Sequence, residues 1–119
     1  MRSRRTRKTD ISTKVRLRVY DRDDNTCIFC RAGYHAPAED RLQGDMGYGL
    51  RTVAHFIGRG RGGLGIEENL ATVCVTHHQL LDNGSHGERQ EMMEIFEDYL
   101  RSEYQEWSRE IVEYRKEYV

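Results

Sequence analysis

Residues 69–78 read Asn69-Leu70-Ala71-Thr72-Val73-Cys74-Val75-Thr76-His77-His78. The stretch changes character at Cys74. Up to that point it is short, apolar and β-branched, which predicts an extended segment over 69–74. Thr76 is of the type that caps helix N-termini. A short helix from there carries His77, His78 and Asp82, and Asn83-Gly84 ends it, since glycine is favoured just past a helix C-terminus. Cys74 and His77 are separated by two residues, a chelating gap at a strand-to-helix junction.

The same gap occurs upstream, in Cys27-Ile28-Phe29-Cys30. Cys27, Cys30 and Cys74 are the three cysteines of the chain, so they cannot all pair as intramolecular disulfides. A thioredoxin-like reading of C-x-x-C needs the motif inside a βαβ pattern, and none is visible. Two chelating pairs supply the four soft or borderline ligands of a closed tetrahedral zinc site. Cys27, Cys30, Cys74 and His77 are therefore candidate structural zinc ligands. The alternative is three small apolar core residues that fall into chelating gaps by chance.

Between the pairs lies Arg51-Thr52-Val53-Ala54-His55-Phe56-Ile57, which predicts a strand. The glycine-rich turn 58–65, with Arg59 and Arg61, follows it. His78 and Asp82 stand at i and i+4 and project from one helix face. Nitrogen and carboxylate at that spacing can hold one divalent ion and leave positions open, which suits catalysis on a phosphodiester. His55, brought opposite by the hairpin, is placed to take a proton from an attacking water. The amide of Asn69 suits a clamp on the loop backbone. Singly, His55 reads equally as a core histidine, His78 as a surface residue and Asp82 as a helix-end charge.

Taken together, Val53-Ala54-His55-Phe56-Ile57, Gly62-Gly63-Leu64-Gly65-Ile66-Glu67-Glu68-Asn69-Leu70 and Val73-Cys74 with His77-His78 resemble the HNH endonuclease family. Val19-Tyr20-Asp21-Arg22-Asp23 and Cys27-Ile28-Phe29-Cys30 resemble the lead-in of its zinc-containing members, including free-standing phage and prophage nucleases. The resemblance covers about residues 15–84. It implies a small α+β fold with a ββα-metal (His-Me finger) core, and metal-dependent cleavage of DNA phosphodiesters. In that likeness His55 is the general base, Asn69 the loop-fixing asparagine and His78 a ligand of the catalytic ion, which would be Mg²⁺, Mn²⁺ or Ni²⁺. Asp82 stands where many members place a further ligand. His77 stands where the family usually has cysteine. Ala54 stands where members commonly carry a metal-binding Asp, Glu or His; His35 or Asp45 of the 31–50 loop is a candidate replacement. Small phage-type members often work beside a terminase, which adds one as a partner by analogy. The competing function is a non-catalytic zinc module that binds nucleic acid or phage packaging machinery.

The chain is polarised in charge. Residues 1–18 carry eight Lys/Arg and one acid, whereas 85–119 carry five bases and ten acids. Residues 1–9 predict an unstructured basic arm. Arg4, Arg5, Arg7 and Lys8, with Arg59 and Arg61, are candidate DNA-phosphate contacts; the alternative for the arm is a solubilising tail. Asp10 or Ser12 caps a helix to about Tyr20 with Ile11, Val15 and Val19 on one stripe. Ser85-His86-Gly87-Glu88 matches a capping box. From it Met93, Phe96, Leu100, Tyr104, Trp107, Ile111, Tyr114 and Tyr118 predict one long C-terminal helix over 85–119. Such a helix packs on the N-terminal helix or on a second subunit, giving a monomer or a dimer.

The whole is 119 residues, 37% hydrophobic and 33% charged. That is one small domain, with no room for a second. No apolar run approaches the ~20 residues that span a bilayer, and no secretory pattern follows the basic start. The expected setting is cytoplasmic and reduced, with no membrane partner.

Overall fold

The computed structural model describes residues 4–34, 50–84 and 87–114. They form a small α+β domain. Three helices come first: α1 (Arg4–Thr9), α2 (Thr13–Arg22) and α3 (Ile28–Arg31). Strands β1 (Arg51–His55) and β2 (Leu70–Cys74) follow, then α4 (Val75–Asn83) and α5 (Glu88–Glu103). Short 3-10 turns lie at Arg59–Arg61, Glu67–Asn69 and Arg109–Val112.

The two strands pair antiparallel with His55 opposite Leu70, Ala54 opposite Ala71 and Arg51 opposite Cys74. All five residues of β2 are buried. One sheet face, with Val53 and Leu70, packs on Val19 of α2. Ala54, Ala71 and Val73 belong to the larger cluster with α3, α4 and α5. Alternation along each strand places helices on both faces of a two-stranded ribbon, which could not be stable alone. The aromatic centre is Phe56, whose ring lies 5.4 Å from both Phe96 and Trp107 in edge-on packing.

A buried ionic knot ties α2 to the sheet. Asp23 is wholly buried. It accepts from Arg22 Nε at 2.7 Å and Nη2 at 3.0 Å, from the backbone amide of Thr72 at 2.7 Å and from the Tyr99 hydroxyl. Arg22 also donates to the carbonyls of Glu67 and Leu70 and to Tyr104. This satisfies both charges, as burial requires.

Several expectations need correction. Residues 4–9 are not an unstructured arm. α1 is helical, Thr9 is buried, and the Gly65 amide donates to the Lys8 carbonyl at 2.9 Å. Gly65 allows this approach, because a Cβ there would meet the Asp10 carbonyl oxygen at 2.0 Å. Ser12 does cap α2, accepting from Val15 N. Thr76 does not cap α4; Cys74 does, its sulfur accepting from the His77 amide. Ser85 and His86 of the capping box lie outside the described residues. Gly87 is the N-cap of α5, at φ 93°, a conformation open to glycine.

The single long helix over 85–119 is the largest correction. α5 stops at Glu103 because Tyr104 turns extended, at φ −128° and ψ 108°. A straight helix over 85–119 would run about 50 Å and carry its aromatic stripe past the body. The chain folds back instead. Trp107 becomes buried and its indole N–H donates to the Glu68 carbonyl at 2.6 Å. Glu113 bridges Gly63, Leu64 N donates to Val112 O, and Tyr114 N donates to Gly62 O. Met92, Phe96 and Leu100 are the buried positions of α5, while Ile111 is 46% exposed. Tyr118 lies outside the described residues. Among the described residues no helix is long and apolar enough to cross a membrane.

Candidate metal centre and the His55 site

The metal cluster is assembled from three elements. Cys27 precedes α3 and Cys30 sits on its single turn; Cys74 closes β2 and His77 lies in the first turn of α4. Cys27, Cys74 and His77 are buried and Cys30 is half-buried. His77 Nδ1 lies 3.5 Å from the sulfurs of Cys27 and Cys30 and 3.2 Å from that of Cys74. Cys30 and Cys74 sulfurs are 3.9 Å apart. A tetrahedral zinc with bonds of ~2.3 Å to sulfur and ~2.0 Å to nitrogen has ligand–ligand edges of roughly 3.5–3.8 Å. The separations of 3.2–3.9 Å bracket those edges and all four ligand atoms lie within 4.8 Å of one another, so the cluster could hold a metal such as zinc.

The outer shell fits as well. His77 Nε2 donates to the carbonyl of Tyr34 at 2.7 Å. A carbonyl can only accept, so this bond fixes the tautomer and leaves Nδ1 as the ligand nitrogen. Hydrogen bonding with Cys74 pulls the Cys27 thiol down to about 3, while burial pushes Cys30 up to about 11. Three thiols this close cannot all ionise unaided, and a bound cation removes that conflict.

The second site centres on His55, at the end of β1. Its Nε2 donates to the Thr9 carbonyl at 2.9 Å, where α1 ends. Nδ1, the ring's acceptor when neutral, has no hydrogen-bond partner among the described residues. Burial holds the ring below its ordinary value, and nearby Arg59, His78 and Arg16 push the same way. The loop after β1 is held from below by Asn69, which is fully buried. Asn69 Oδ1 accepts from Ile57 N at 2.9 Å, and Nδ2 donates to the carbonyls of Ile57 and Leu64 at 3.1 and 2.9 Å. Gly63 lies against this clamp, and a Cβ there would sit 1.6 Å from the Ile57 oxygen.

His78 Nε2 and Asp82 Oδ2 are 3.8 Å apart on α4, with the carboxylate mostly in solvent. That separation fits two neighbouring ligands of one ion. Among the described residues, no third His, Cys or carboxylate joins them in a ligand cluster. Ala54 faces the core and is 1% exposed, opposite Ala71. His35 and Asp45 lie outside the described residues.

The basic residues diverge. Arg59 reaches back to Asp10, in an ion pair between the glycine turn and the start of α2. Arg7 and Arg59 line the cavity beside His55, and so does Arg16, which charge counting along the sequence did not single out. Arg61 lines another cavity with Arg89 and Arg109. Lys8 turns towards the ring of Tyr114, 6.0 Å from its centroid. Arg4 and Arg5 belong to α1.

No protein-family model matches the chain, and neither does any curated protein or any solved structure.

Proposed function

We propose that the chain is a zinc-containing, metal-dependent DNA endonuclease of the HNH type, with β1, β2 and α4 as its ββα-metal core. The observation that carries this reading is the setting of His55. Its Nε2–H is committed to Thr9, so Nδ1 is the lone pair available for a proton, and burial favours the neutral ring. That is the state required of a general base near neutral pH. Asn69 braces the loop that follows, so the ring keeps its position as the substrate strand arrives. A divalent ion held by His78 and Asp82 would stabilise the charge on the phosphate and on the leaving oxygen. The Cys27, Cys30, Cys74 and His77 centre would play no chemical part; it locks α3 to the strand-to-helix junction that carries His78.

One observation favours a non-catalytic zinc module instead. The position before His55 is a buried alanine, so the protein supplies only two ligands to the open site among the described residues. Supercoiled plasmid incubated with Mg²⁺, Mn²⁺ or Ni²⁺ separates the two readings. The nuclease reading expects nicked circles, lost in His55→Ala. Intact plasmid with every ion would leave the binding module.

A further inference from the structure

Beside His55 is a cavity of about 350 Å³, between the end of α1, the start of α2 and the glycine turn. Arg7, Asp10, Ser12, Arg16, His55 and Arg59 line it. They come from two stretches of chain, 7–16 and 55–59. Three guanidinium groups thus face one carboxylate. Asp10 is already paired with Arg59, while Arg7 and Arg16 form no ion pair with a described residue. Planar guanidinium forks match the oxygens of a phosphate better than any other side chain does. The Ser12 hydroxyl accepts from Val15 N as the helix cap, which leaves its own hydrogen to donate. The lining offers no Phe, Tyr or Trp on which a base could stack. Its chemistry therefore reads charge and not sequence.

We propose that this cavity seats a phosphodiester of the DNA backbone, the neighbour of the one attacked at His55, and that Asp10 is the built-in anion which that phosphate displaces from Arg59. The inference rests on the reading of His55 as the base. It goes further in naming Arg16 and Asp10 as substrate-binding determinants. The phosphate would bridge the 7–16 segment and the glycine turn, next to the Thr9–His55 bond and the Asp10–Arg59 pair that already tie α1 and the residue after it to β1 and that turn. Seating the strand there would hold the next phosphate against the exposed edge of the imidazole.

Fluorescence anisotropy of a labelled DNA duplex, with no divalent ion added, reads binding apart from cleavage. Arg7→Gln and Arg16→Gln should each weaken binding several-fold and flatten the log–log salt slope by about 1, the loss of one phosphate contact. Asp10→Asn should tighten binding at low salt. Arg101→Gln, on α5 beside Glu97 and Trp107, should change nothing. Circular dichroism of each variant confirms that it is folded. Unchanged affinity and slope in both Arg7→Gln and Arg16→Gln would overturn the proposal, and so would an equal loss in Arg101→Gln. Inorganic phosphate at matched ionic strength should displace the duplex only at millimolar concentration or above. Micromolar displacement would reassign the cavity to free phosphate and overturn the diester proposal. Binding that depends on Arg7 and Arg16 in a chain that never nicks plasmid removes the nuclease reading but leaves the phosphate site. Nicking by a chain whose binding ignores both arginines does the reverse.

Discussion

His77 Nε2 donates to the carbonyl oxygen of Tyr34 at 2.7 Å, which aims Nδ1 at the three cysteine sulfurs. One hydrogen bond thus decides which nitrogen of His77 faces the centre. It also ties the end of the α3 segment to α4, so that a bound ion would close a ring through both.

The first expected outcome concerns that ring. Protein purified without added metal should carry one zinc per chain by elemental analysis. A strong chelator should collapse its circular dichroism signal, because metal binding at a site in so small a core is part of the folding energy. Cys74→Ser should behave like the chelated protein. A chelated chain with native melting behaviour would show that the cluster is not structural.

On the proposed nuclease reading, His55 sets the pH dependence of cleavage. Its value lies below the ordinary 6.5, so the neutral ring predominates above pH 6.5. The acid limb of the cleavage rate should fall below pH 6.5. Arg16→Gln should move that limb to higher pH by removing one of the charges that oppose protonation. Stability follows the same sign. Between the folded value and 6.5 the unfolded chain binds more protons, so this group's contribution is full above 6.5 and is lost as pH falls through the folded value. A limb at higher pH than 6.5 in the parent protein would remove His55 from the role of base.

Asp23→Ala should cost about 3–5 kcal/mol in urea unfolding, because it leaves the buried Arg22 charge and the Thr72 amide without their acceptor. Loss of under about 1 kcal/mol would mean that water replaces the carboxylate.

The fold-back after α5 separates two substitutions that a continuous helix would make alike. Trp107→Ala should cost about 3–5 kcal/mol by emptying the space beside Phe56. Ile111→Ala, at an exposed position, should stay within about 0.5 kcal/mol. Equal losses at both positions would restore the straight helix.

Deleting residues 1–9 tests the corrected role of α1. The truncation removes the Thr9 carbonyl that orients His55 and the Lys8 carbonyl bonded to Gly65. It should therefore slow cleavage as well as weaken DNA binding. A detachable basic tail would affect binding alone, and single-turnover rates at saturating protein tell the two apart.

Much was legible in the chain itself, for identifiable reasons. The gaps Cys27–Cys30 and Cys74–His77 are local, and four thiol and imidazole groups in two chelating pairs have few other uses. The β-branched runs before His55 and up to Cys74 form the strands Arg51–His55 and Leu70–Cys74, with Ser12 capping α2 as its residue type requires. These features depend on neighbours within a few residues, where side-chain chemistry and backbone geometry are coupled directly.

What only the tertiary structure decided is where distant segments meet. The 3–4 spacing of Tyr104, Trp107 and Ile111 is sound helical periodicity, yet burying Trp107 against Phe56 and pairing Glu113 with Gly63 replaced the helix with a return strap. Arg2 to Lys8 read as a charged tail, because nothing local reveals that the carbonyls of Lys8 and Thr9 have partners at Gly65 and His55. Arg16 and Arg59 are remote in sequence and carry no motif, yet they line one cavity with His55. Backbone carbonyls carry no sequence signature, and long-range burial outweighs local propensity when a large aromatic ring is at stake.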